Sequence, residues 1–144
     1  MPMLARRLSI FVAEDDELIR ELVRTRLELV GYHTRWAGSG PEAMAQCNLV
    51  KPDALILDIN LPGLDGLSIL ARWKERGVRP PPTLMLTARH NAADVKEAIA
   101  LGAKDYLTKP FKDAVLVSRV ARLVRGATPG PKPLSSPEHD DVFL

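Results

Sequence analysis

Ala54-Leu55-Ile56-Leu57-Asp58 is the stretch on which the reading of this chain turns. Its four consecutive apolar side chains follow the breaker Pro52-Asp53 and close on an acid. Such a run is too short and too uniform for an amphipathic helix, and it fits a strand buried on both faces. The same design recurs at Leu8–Ala13, followed by Glu14, Asp15 and Asp16, and at Thr83–Thr87. Shorter strands are expected at His33–Trp36 and Asp105–Thr108. Between the strands the pattern changes to helical spacing. Over Glu17–Val30, the residues Leu18, Ile19, Leu22, Val23, Leu27 and Val30 recur at three- and four-residue steps, and Gly31 supplies the stop. Pro41 opens a helix to about Leu49. Leu67–Arg76 predicts a third helix with Leu67, Leu70 and Trp73 on one face. Asn91 is placed to cap a fourth that reaches Leu101 before Gly102, and Lys112–Arg125 predicts a fifth with Leu116, Val120, Leu123 and Val124 inside.

Strand then helix, repeated in this way, requires right-handed crossovers and a parallel sheet covered on both faces. The expectation is an α/β fold, a flavodoxin-like doubly wound sheet of five strands in the order 2-1-3-4-5. Functional groups of such sheets gather at the carboxyl ends of the strands. The expected organisation is a lead-in over 1–7, one domain over 8–125, and a Pro-rich disordered tail or linker over 126–144.

Composition narrows the function classes. Apolar residues make up 46% and charged residues 26% of the chain, as in ordinary globular domains. Lys and Arg number 20 against 18 Asp and Glu, and a net charge of +2 gives no argument for membrane or direct nucleic-acid binding. No apolar run approaches the roughly 18 residues of a membrane span, so a cytoplasmic protein is expected. The lone Cys47 reads as buried filler within a helix, and Trp36 and Trp73 read as packing residues. His33, His90 and His139 do not suggest a metal cluster. Arg119, Arg122 and Arg125 make a basic face on the last helix, for which a solvated surface is the default reading.

The chemistry lies in four strand ends. Glu14, Asp15 and Asp16 follow the first strand, Asp58 ends the third, Thr87 ends the fourth, and Lys109 follows the fifth, just before Pro110. In a parallel sheet these ends share one edge. Two carboxylates 4 Å apart repel by about 4 kcal/mol at an effective dielectric of 20, so such a cluster needs a proton, a cation or Lys109 beside it. Hard oxygen donors without His or Cys favour Mg²⁺, with Mn²⁺ as a substitute, over zinc. Asp58 is then the oxygen nucleophile for a phosphoryl group, Lys109 pairs with its oxygens, and the Thr87 hydroxyl donates to another.

On four motifs the chain resembles the response-regulator receiver family: Val12-Ala13-Glu14-Asp15-Asp16, Leu57-Asp58-Ile59-Asn60-Leu61-Pro62-Gly63 with Asp65-Gly66, Leu86-Thr87-Ala88, and Gly102 to Phe111. The resemblance implies Asp58 as phosphoacceptor and Glu14, Asp15, Asp58 and the Asn60 backbone carbonyl as metal ligands. It implies Thr87, Ala88 and Lys109 as the phosphoryl-binding set and Thr87 with Tyr106 as the switch. Asn60 and Arg89 stand where receivers tune phosphoryl lifetime, and the Lys109–Pro110 bond is usually cis in the family. Asp15-Asp16 is the alternative acidic pair. Glu14-Asp15 is preferred because Ile19 and Arg20 then fall where the family commonly carries Ile-Arg. The implied function is a phosphorylation-dependent switch that receives its phosphoryl group from a histidine kinase or a histidine phosphotransfer protein. It acts on a downstream protein or an effector domain through the surface of the fourth helix, fifth strand and fifth helix, the face through which receivers also homodimerise. It is not an enzyme beyond its own phosphorylation and slow dephosphorylation. Two alternatives are a dehalogenase-type phosphatase, suggested by Asp58-Ile59-Asn60, and a degenerate receiver that takes no phosphate.

Overall fold

The computed structural model describes residues 7–88 and 92–125. Strands β1 (Ser9–Ala13), β2 (His33–Ala37), β3 (Ala54–Asp58), β4 (Thr83–Thr87) and β5 (Asp105–Thr108) alternate with helices α1 (Glu17–Leu29), α2 (Gly40–Val50), α3 (Gly66–Glu75), α4 (Ala92–Ala100) and α5 (Asp113–Arg125). The strands form one parallel sheet in the order β2-β1-β3-β4-β5. This is the flavodoxin-like arrangement expected from the sequence. The cap assigned to Asn91, the residues Arg89 and His90, most of the lead-in and the whole 126–144 segment lie outside the described residues.

The two-residue period of the strands divides the core. Phe11, Leu55, Leu57 and Met85 point to α2, α3 and α4, where Met44, Cys47, Leu70 and Trp73 meet them. Ile10, Val12, Ile56, Leu84 and Leu86 point the other way, against Val23 and Leu27 of α1 and Leu116, Val120, Leu123 and Val124 of α5. All five side chains of β3 and of β4 are buried, as central strands covered on both sides should be. Burial pushes the Cys47 thiol up to about 12, which leaves it protonated at neutral pH. Iodoacetamide is therefore expected to leave the folded protein unmodified and to label it fully after unfolding, as intact mass would show.

Three expectations need correction. The inner stripe of α1 is narrower than its apolar spacing suggests, because Leu18 (80% exposed), Leu22 and Val30 face outward while Val23 and Leu27 carry the packing. Trp73 is a core residue, but Trp36 is 40% exposed and serves as a platform for the Arg20 guanidinium, 3.8 Å from the ring centre. The α5 arginines are not a solvated face throughout. Arg119 Nη1 donates to Asp105 Oδ1 at 3.0 Å and to the Tyr106 carbonyl at 2.8 Å, and Arg122 also pairs with Asp105 at 3.4 Å. No helix among the described residues is long and apolar enough to cross a membrane.

Candidate phosphoryl-accepting site

Strand pairing brings the four motifs to one edge. Ala13 of β1 lies beside Leu57 of β3, Asp58 beside Leu86 of β4, and Thr87 beside Thr108 of β5. The sheet bonding then continues one step past the strands: Ile59 N–H donates to Leu86 O, and Lys109 N–H donates to Thr87 O at 2.8 Å. The polar side chains are thus fixed by the same ladder that builds the core. Lys109–Pro110 is a cis peptide bond.

The centre of the site is a buried charge cluster. Glu14 is fully buried and Asp58 is 2% exposed. Lys109 Nζ stands 2.7 Å from Glu14 Oε1 and 3.2 Å from Asp58 Oδ2. The Asp58 contact is an aligned hydrogen bond; the shorter Glu14 contact is an ion pair off the ideal hydrogen-bond direction, so Oε1 is a buried oxygen with bonding capacity to spare. Burial pushes the Glu14 carboxyl up to about 7 against the pull of Lys109, and the adjacent Asp58 adds to the rise. Burial also opposes the Lys109 charge, but the two carboxylates outweigh it and its pKa is raised. The remaining carboxylate oxygens are set by the main chain. Asp58 Oδ1 accepts from Asn60 N–H at 3.1 Å, and Glu14 Oε2 accepts from Asp16 N–H at 3.1 Å.

Glu14, Asp15 and Asp58 each offer a carboxylate oxygen, all within 4.8 Å of one another. Asp15 is exposed, so this acidic group opens to solvent on one side. Its donors are hard oxygens without sulfur or imidazole, and one is a buried oxygen without an aligned hydrogen bond. That donor set fits a divalent cation such as Mg²⁺. Asp16 is placed differently: its Oδ1 accepts from the N–H groups of Leu18 and Ile19 and caps α1. Thr87 is buried at the end of β4, Ala88 is exposed beyond it, and Asn60 is exposed beyond Asp58. Tyr106 is half-buried and packs on the side of the sheet that carries α2, α3 and α4.

Two supporting residues have roles that motif reading does not reveal. Arg20 is only 8% exposed and donates from Nη1 to the Glu14 carbonyl at 3.2 Å. The Ile19-Arg20 pair marks its position in the sequence, while its contact with the Glu14 carbonyl shows only in the fold. Gly66 lets α3 start against the end of β3: its N–H donates to Ile59 O at 2.8 Å, and a Cβ there would stand 2.5 Å from the Asp58 carbonyl oxygen. Gly66→Ala is expected to cost about 1–3 kcal/mol, since backbone must move to admit the methyl group. Chemical denaturation beside the parent protein would measure it.

The sequence model of the response regulator receiver domain matches residues 10–121. The transcriptional regulatory protein TrcR of Mycobacterium tuberculosis is 41% identical over 118 residues, covering 82% of this chain and 46% of that protein. The transcriptional regulatory protein QseB of Escherichia coli O157:H7 is 39% identical over 118 residues, covering 82% of this chain and 53% of its own length. Among solved structures, the receiver domain of the Francisella response regulator 1452 superposes with a TM-score of 0.79 at 31% identity, covering 85% of this chain and all of that one. The chain belongs to the response regulator receiver family of two-component signal transduction. It spans about half the length of the curated relatives it matches. Family membership favours phosphorylation-dependent signalling over the phosphatase alternative.

Proposed function

We propose that Asp58 accepts a phosphoryl group from the phosphohistidine of a histidine kinase or a histidine phosphotransfer protein. The P–N bond breaks with its electron pair left on the imidazole, and a carboxylate oxygen of Asp58 forms the new P–O bond. The observation that carries this reading is the single ammonium of Lys109 held between two buried carboxylates, 2.7 Å from Glu14 and 3.2 Å from Asp58. That arrangement prepares cationic charge where an incoming phosphoryl group would gather negative charge. Glu14, Asp15, Asp58 and the Asn60 carbonyl are assigned to hold Mg²⁺, which supplies charge neutralisation for the transfer. Glu14-Asp15 is favoured over Asp15-Asp16 because the Asp16 carboxylate is engaged by the α1 N-terminus.

Lys109 then pairs with one phosphoryl oxygen, the Thr87 hydroxyl donates to another, and the Ala88 N–H to a third. The added group carries nearly two negative charges. Movement of Thr87 toward it gives Tyr106 room to turn inward, and the α4-β5-α5 face changes its affinity for a downstream protein, an effector domain or a second copy. Residues 8–125 act as the unit that carries this switch. It acts on no metabolite, and its own aspartyl phosphate hydrolyses slowly.

The test is incubation with acetyl phosphate in Mg²⁺ or in chelator, followed by borohydride reduction and peptide mapping. Label confined to residue 58 and dependent on Mg²⁺ is expected. Label at another residue, or equal labelling in chelator, would overturn the assignment.

A further inference from the structure

Arg20 is charged yet buried in α1, and it bridges two other elements. Its Nη1 donates to the main-chain oxygen of Glu14, 3.2 Å away, at the end of β1. Its guanidinium lies 3.8 Å from the centre of the Trp36 ring on β2. It has no close bidentate carboxylate: Glu21 Oε2 is 3.7 Å from Nε, which makes no hydrogen bond. The helix turn beneath is fixed separately, with Arg20 N–H donating to Asp16 O at 2.9 Å and Asp16 capping α1. The guanidinium is therefore committed to an aromatic face and to one carbonyl, and that carbonyl belongs to a residue whose side chain enters the acidic cluster.

We infer that Arg20, clamped on the Trp36 ring, is a positioning residue that holds the β1–α1 acidic turn in the shape that receives the divalent cation. The inference rests on the assignment of Glu14, Asp15 and Asp58 as the Mg²⁺ site. It also accounts for a large aromatic residue left 40% exposed on β2, where it serves as a stacking surface and not as core. Two effects of Arg20 have opposite signs. Its charge alone repels Mg²⁺, so removing the charge would tighten binding. Its grip on the Glu14 main chain orients the ligands, so removing the grip would loosen binding. A guanidinium can stack and donate at once in a way that a lysine ammonium cannot.

Mg²⁺ is titrated calorimetrically into the full chain, wild type beside Arg20→Ala, Arg20→Lys, Trp36→Leu, Trp36→Phe and the double variant Arg20→Ala/Trp36→Leu. Unfolding midpoints in chelator serve as the fold control. Arg20→Ala is expected to weaken Mg²⁺ binding about tenfold, as loss of a residue that orients metal ligands does. Trp36→Leu is expected to weaken it about threefold, with Trp36→Phe recovering most of the loss because a ring face returns. Arg20→Lys should resemble Arg20→Ala, and the double variant should bind no worse than Arg20→Ala, since both changes break one linkage. Unchanged or tighter binding in Arg20→Ala and Trp36→Leu would overturn the inference. Should Arg20→Ala fail to fold, the half-exposed Trp36 pair decides alone: equal binding by Trp36→Leu and Trp36→Phe rejects it. If wild type binds Mg²⁺ and the variants bind equally, the cation site stands and only the role of Arg20 falls. If wild type binds none, both fall.

Discussion

Asp58→Asn is expected to end phosphoryl incorporation from acetyl phosphate completely and, in chelator, to make the protein more stable by about 1 kcal/mol. The first effect follows because an amide has no carboxylate oxygen with which to attack phosphorus. The second follows from the charge count at the site. Lys109 faces two buried carboxylates, and Asp58 contributes to the raised pKa of Glu14. Replacing Asp58 by a neutral amide leaves one ammonium against one carboxylate and removes the cost of keeping a charge 2% exposed. Intact mass reads the phosphoryl group, and thermal unfolding, with a midpoint rise of about 4 °C, reads the stability. Labelled Asp58→Asn protein, or a lowered midpoint, would contradict the account.

The complementary substitution acts in the opposite direction. Lys109→Met leaves Glu14 and Asp58 buried without their ammonium. Removing one partner from a buried charge group costs about 3–5 kcal/mol, because the other charges stay uncompensated. The deficit should be largest in chelator and mildly alkaline buffer, and Mg²⁺ should recover part of it by supplying the missing positive charge. Urea unfolding with and without Mg²⁺ measures both effects. A variant as stable as wild type in chelator would mean that the contacts at 2.7 and 3.2 Å carry little energy.

How much of this was legible beforehand depended on what each residue answers to. The β3 and β4 runs could be read because a strand covered on both faces has no polar side to present, so Ala54–Asp58 and Thr83–Thr87 matched to the residue. Strand ends bearing Asp58, Thr87 and Lys109 followed from topology alone. Helix faces were harder. Leu18 and Leu22 share the spacing of Val23 and Leu27, but β1 and α5 reach only the latter pair, and sequence does not state where a neighbouring element stops. The acidic run could not be divided by composition either. Asp16 differs from Asp15 only in where α1 begins, and it is the helix start that claims the Asp16 carboxylate. Arg119 was invisible as a β5 anchor because its partners, Asp105 and the Tyr106 carbonyl, lie on another element.

The strict alternation of β3 between its two packing layers has a consequence for how this chain can change length. Leu55 and Leu57 serve one layer and Ala54 and Ile56 the other, so deleting a single residue inside the strand would exchange the layers and draw the Asp58 carboxylate back from the rim. Residues 79–81, at the far end of the sheet, lie between the Val78 N–H that closes α3 and the Pro82 carbonyl that accepts from Leu55 N–H, and face no such rule. Gain or loss of a residue there would alter the approach to β4 and the contact of the Thr83 hydroxyl with the Pro81 carbonyl, and leave the strand register in place. The spacing of the reactive edge is thus kept by a molecular ruler, while drift in length is confined to the opposite pole.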